Sequence, residues 1–204
     1  MAKRNIPEVN AGSMADIAFL LLIFFLVTTT IETDAGLDRK LPPLEPPDDT
    51  DVVIKKRNIL EVVVNKNDQL LVEENVLQLK DLRKAAVEFL DNGGGTGEDA
   101  CSYCKGKRDP DSSDNPDKAI ISLQNDRETS YKTYLAVQNE LVGAYNELRD
   151  RESLRIYGVP YTTMEGEYKD PRTAESVKEE LKPKIERIKK LYPQKLSEAE
   201  PKSN

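Results

Sequence analysis

Apolar residues are distributed along this chain in two ways. Residues 17–27, IAFLLLIFFLV, are apolar without interruption, and nowhere later does an apolar run reach that length. Beyond residue 58 the apolar positions recur at the spacings of strands and helices. Ile59–Val64 reads as a strand, NKND at 65–68 as a turn and 69–73 as the returning strand of a hairpin. Over 79–90, Leu79, Leu82, Ala86, Phe89 and Leu90 fall at helical spacing, with Asp81 near the start. A short buried strand is predicted at 119–123. Tyr134, Leu135, Val137, Leu141, Val142, Tyr145 and Leu148 then mark an amphipathic helix over 131–148, and 154–159 reads as a closing strand. That order predicts an α+β domain over 59–160, a small mixed sheet with two helices on one face.

Three segments lie outside this pattern. LPPLEPPDDTD, 41–51, holds four prolines among acids and cannot pack a core, so 32–58 reads as an extended linker or, alternatively, a partner-binding segment. Residues 91–117 form an insertion rich in Gly, Asp and Ser. Residues 161–204 form a charged, partly helical extension. There Asp170-Pro171 suits a helix cap and first turn, and Val177, Leu181, Ile185, Ile188 and Tyr192 make one apolar stripe. Pro183 is expected to kink or split that helix. The extension reads either as docked on its own domain, as a loose charged tail, or as a partner-binding helix.

The N-terminal run must be judged against the bilayer. A helix crossing about 30 Å of hydrocarbon needs about 20 residues. Residues 17–27 are too few, but with the small and weakly polar flanks the span becomes 11–31. Lys3 and Arg4 precede it and Glu32, Asp34 and Asp38 follow. The charge asymmetry puts residues 1–10 in the cytoplasm and the remainder across the membrane. A cleaved secretory signal is the rival reading, against which Glu8 and Asp16 interrupt the basic region. Asp16 abuts the apolar run, where an ionised carboxylate costs roughly 2.5–3.5 kcal/mol at a membrane-helix centre. A carboxyl taken out of water favours its neutral form, so Asp16 is a candidate proton binder; a carboxylate solvated at headgroup level is the plain alternative.

Charge and composition narrow the chemistry. The net charge of −7 argues against nucleic-acid binding through phosphates. The absence of histidine removes Ser-His-Asp and Cys-His catalysis and most nitrogen-ligated zinc sites. NGGGTGED, 92–99, lacks the Gly-Lys-Ser/Thr ending of a phosphate loop, so neither an enzyme nor a cofactor is expected. The only cysteines, Cys101 and Cys104, most simply form a local disulfide in an oxidising compartment. A zinc site shared between two subunits and a redox-active pair are the other readings.

VNAGSMADIAFLLLIFFLV resembles the signature of the ExbD/TolR family, single-span subunits of proton-driven inner-membrane motors. Asn10 stands six residues before Asp16, and Leu20, Leu21 and Leu22 follow it, as in that signature. Where the family usually has Thr-Pro, this chain has Gly12-Ser13. The order of elements and the turn in NDRETSYKTYLAV are also similar to the family's periplasmic domain. The resemblance implies that Asp16 is the proton-translocating residue, with Asn10 and Ser13 as possible support. It further implies a homodimer within a ring of ExbB/TolQ-like subunits, acting on a TonB- or TolA-like periplasm-spanning protein. TonB-type transport is the expected load, with Tol-type envelope maintenance as the alternative. An anchored or secreted periplasmic binding or structural domain with no motor role is the reading of a different class.

Overall fold

The computed structural model describes residues 11–28 and 55–199. Residues 1–10, the stretch 29–54 with the proline-rich linker, and 200–204 lie outside the described residues. The chain divides into two compact units, 1–50 and 51–204, each considered by itself.

In the first unit, helix α1 spans Ala11–Thr28. Its 18 residues extend about 27 Å at 1.5 Å per residue. Met14, Ile17, Phe19 to Phe25 and Asp16 are all exposed, so the helix has no single apolar face but an apolar surface on all sides. Among the described residues no helix is long and apolar enough to cross a membrane. Residues 29–31, needed for the expected span over 11–31, lie outside the described residues.

The second unit is built on a five-stranded mixed sheet in the order β3-β2-β1-β4-β5. The strands are β1 (Ile59–Val64), β2 (Leu70–Val72), β3 (Asn75–Leu77), β4 (Ile120–Asn125) and β5 (Leu196–Ala199). The central pair β1 and β4 is parallel, in register from Ile59 opposite Ile120 to Val64 opposite Asn125. β5 runs parallel to β4, while β2 and β3 form an antiparallel meander on the other side. Side chains alternate across a strand, so Leu60, Val62, Val64, Ile121 and Leu123 all reach one face and are buried there. They meet Leu82, Ala86, Phe89 and Leu90 of α2 (Leu79–Leu90) and Val137, Leu141, Ala144, Tyr145 and Leu148 of α3 (Tyr131–Tyr157). Each fully buried aliphatic side chain contributes roughly 1.5–3 kcal/mol, which makes this layer the main source of stability. A second cluster joins Tyr161 and Met164 of α4 (Tyr161–Lys169) to Leu181, Ile185 and Ile188 of α5 (Glu175–Leu191).

The α+β layer and its first five elements agree with the pattern in the sequence, and several details differ. Residues 154–159 are not a strand: α3 continues through Tyr157 and closes at Gly158, whose φ of 73° is a left-handed cap that glycine adopts without a Cβ penalty. Leu154, Ile156 and Tyr157 have strand-forming side chains, but the buried Glu152 and Ser153 preceding them continue the helix's packed side. The domain therefore carries four helices rather than two. The sheet gains β3 and β5 and loses the strand expected at 154–159. Asp170 is not the cap of a new helix but the end of α4, and α5 begins later, at Glu175. Pro183 lies inside α5 without dividing it.

The C-terminal residues are part of this fold and not a loose tail. Ile188 and Tyr192 are fully buried, Tyr192 within the main core, and β5 lies beside β4. Docking on its own domain, one of the three readings of the extension, is what the structure contains.

Candidate functional site

Two places in the chain concentrate chemistry, one in each unit. The first is Asp16, one turn and a half into α1. The helical repeat puts Gly12, Phe19, Leu20 and Ile23 on its side of the helix. Among the described residues no hydrogen-bond donor or cation pairs with its carboxylate, and it is exposed. Ser13 lies in the same helix three residues earlier, and Asn10 falls outside the described residues. The structure thus offers a single carboxylate set in an apolar helical surface.

The second place is the junction of the 91–117 insertion with the end of α3 and the end of α5. The insertion is rich in Gly, Asp and Ser, yet Asp91, Asn92, Cys101, Cys104, Ser113 and Asp114 are buried. Asn92 organises the loop: its Nδ2 donates to the carbonyls of Asp109 (2.8 Å) and Ser113 (2.9 Å), and its Oδ1 accepts from the Asp109 amide at 3.0 Å. The Gly94 and Gly95 amides donate to Ser113 and Asp114 carbonyls at 2.9 and 2.8 Å. Gly94 is required by close approach, because a Cβ there would run into the Asp109 carbonyl. Cys101 and Cys104 are joined by a disulfide. Among the described residues no group of His, Cys, Asp and Glu is placed to hold a metal ion.

Two carboxylates fasten this insertion to the rest of the domain. Asp91 receives both Nη1 (2.6 Å) and Nη2 (2.8 Å) of Arg151, and the Tyr192 hydroxyl donates to it at 2.7 Å. The hydrogen bond to Asp91 raises the pKa of Arg151 above its already high value. Burial, aided by the same carboxylate, pushes the Tyr192 phenol up as well, so it stays a neutral donor. Tyr103 donates to the Leu191 carbonyl at 2.7 Å and packs edge-on against Tyr192, with burial pushing its hydroxyl up to about 12. Asp114 accepts from Arg57 (2.5 Å), Asn58 (3.0 Å) and Lys55 (3.1 Å), binding the insertion to the residues that lead into β1. Arg149 adds a paired contact from its Nε and Nη2 to the Tyr192 carbonyl.

None of Asp91, Asp114, Arg149, Arg151 or Tyr192 stands out as a polar anchor in the sequence. Their partners lie 41 to 60 positions away or more, and no local pattern reveals such pairs. The one available hint is the density of glycine and asparagine at 92–97, which marks backbone packed too closely for side chains.

The described residues thus comprise a carboxylate-bearing apolar helix and a small α+β domain. The family model for the biopolymer transport protein ExbD/TolR matches residues 2–149, and the chain belongs to this family. It is, in that general sense, a motor subunit that energises biopolymer transport. The match ends inside α3, whereas the folded unit continues to β5. No curated protein matches the chain.

Proposed function

We propose that this protein is an ExbD-like subunit of an inner-membrane motor driven by the proton motive force, energising TonB-dependent transport across the outer membrane. The observation that carries the reading is Asp16, the one ionisable residue of α1, on the family's signature helix. In this reading α1, extended to about residue 31, is a retained single span with residues 1–10 in the cytoplasm and the α+β domain in the periplasm. Two copies sit within a ring of ExbB/TolQ-like subunits, which supply the wet path that the helix itself lacks.

Asp16 takes a proton where it faces water from one side and gives it up toward the other. A charge moved through the membrane potential yields about 2.3 kcal/mol per 100 mV, so a few protons suffice to drive a rotation or a pull on a TonB-like protein. Asn10 and Ser13, earlier on the same segment, orient or hydrate the site. The linker carries the domain away from the bilayer.

The test is energy-dependent uptake in the native host carrying Asp16→Asn, with insertion and assembly followed in parallel. Loss of uptake with normal assembly supports the reading. Unchanged uptake means Asp16 is a solvated bystander in that pathway, and the chain is then an anchored domain or the motor of another load. N-terminal sequencing of the mature chain distinguishes a retained helix from a cleaved signal.

A further inference from the structure

The surroundings of the disulfide are unequal on the two sides of the bond. We propose that Cys101–Cys104 is a thiol-exchange site, opened by an external dithiol that attacks Sγ of Cys104. Both cysteines are only 5 % exposed, so the bond is shielded from most directions. Cys104, and not Cys101, lines a cavity of about 270 Å³ together with Ser102, Tyr103, Lys105 and Arg155. An attacker entering that cavity therefore meets Cys104 first.

The charges there favour an incoming thiolate. Lys105 lines the cavity with no ion-pair partner among the described residues and is the cation that attracts it, whereas Arg155 at the wall is neutralised by Glu152 at 2.7 Å. The other end of the bond is prepared to leave. The Cys104 amide donates to Cys101 Sγ at 3.1 Å, a contact that stabilises negative charge on that sulfur. A better-stabilised leaving thiolate departs faster.

The exchange balances without any further reagent. The attacking thiolate forms a bond to Cys104 Sγ, the Cys101–Cys104 bond breaks, and its electron pair leaves on Cys101. The second thiol of the attacking dithiol, deprotonated, then displaces Cys104 and closes a disulfide on the external molecule. This chain gains two electrons and the two protons of the dithiol, which is oxidised. Because Tyr103 within the loop holds the Leu191 carbonyl and the Tyr192 ring, opening the bond loosens the joint between α5 and β5.

The experiment uses the full chain in lipid nanodiscs, treated with dithiothreitol without denaturant, with released thiols counted by maleimide gel shift. Complete reduction of the folded chain is expected. In single-cysteine variants labelled at alkaline pH, where both thiols are ionised and access alone decides, Cys104 (in Cys101→Ser) should react several-fold faster than Cys101 (in Cys104→Ser) with a maleimide probe. Lys105→Gln should slow reduction about two- to threefold at low salt, the difference shrinking as salt screens the charge. A bond that resists dithiothreitol until denaturant is added overturns the proposal, and so does a Cys101 that reacts as fast as Cys104. The first measurement needs no variant, so a misfolded cysteine mutant cannot mask the result.

Discussion

Replacing Asp114 by alanine tests whether the insertion is a structural clasp. The Asp114 side chain is fully buried and receives three side-chain donors, while its own amide donates to Asn58 Oδ1 at 2.8 Å. Hydrogen bonds to a charged group contribute about 1.5–3 kcal/mol each, but two of these donors regain water when the carboxylate goes. Arg57 and Lys55 are 35 % and 50 % exposed, so their share is small. Asn58 is buried and loses the acceptor for its Nδ2, a cost of about 1–3 kcal/mol. Together these give a loss of about 3 kcal/mol, or a melting temperature lower by roughly 6–12 °C for a domain of this size. Circular dichroism melts of parent and Asp114→Ala chains at pH 7 measure it.

The acid side supplies an independent check. Burial pushes the Asp114 carboxyl up, but the hydrogen bonds from Asn58 and Lys55 and the charge of Arg57 outweigh it, and the net direction is below the ordinary 3.8. Its folded value thus lies under its unfolded value. The stability it contributes is complete above pH 3.8 and disappears as the pH falls through the folded value. The deficit of the alanine variant should therefore shrink below that pH. A shift under about 2 °C at pH 7, or a deficit unchanged in acid, would refute the clasp.

Further outcomes are expected. A chain ending after Leu191 loses the buried Tyr192 and β5, and should melt more than about 10 °C below the parent by circular dichroism; an unchanged melt would make the extension a mere tail. Gly94→Ala forces a methyl into the Asp109 carbonyl and the Asn92 amide and should cost about 2–3 kcal/mol in urea titrations, whereas Gly166→Ala, in open helical surface, should gain about 0.5–1 kcal/mol. Pro183→Ala restores a backbone donor within α5 and should raise stability by about 1–3 kcal/mol, read from the same titrations. The β2–β3 turn holds Glu73 and Glu74 at φ of 48° and 67°, so replacing this pair by Asn-Gly should raise the melting temperature by several degrees, roughly 1 kcal/mol.

Local order was legible wherever one periodicity ruled. Alternation placed β1, and 3.6-residue spacing placed α2 and most of α3, because burying one face is a demand each segment meets on its own. The uninterrupted run and Asp16 carry the family resemblance in the sequence itself, since their signal lies in adjacent residues. β3 carries no local signal in the sequence, because Glu73-Glu74 is not the Asn-Gly or Asp-Gly that announces a two-residue turn. The strand expected at 154–159 failed because a buried helical side overrode β-forming residues.

What the tertiary structure alone decided was the fate of polar residues. Asp91 and Asp114 look like any loop acid in a chain with 37 acidic residues. Only three-dimensional proximity to Arg151 and Tyr192, or to Arg57 and Asn58, makes them anchors of a packed insertion. The same holds for Tyr192, which enters the core, and for β5, which pairs with the edge of β4. Hydrophobic burial is written in spacing along the chain; hydrogen-bonded charge is written in distances that only the fold creates.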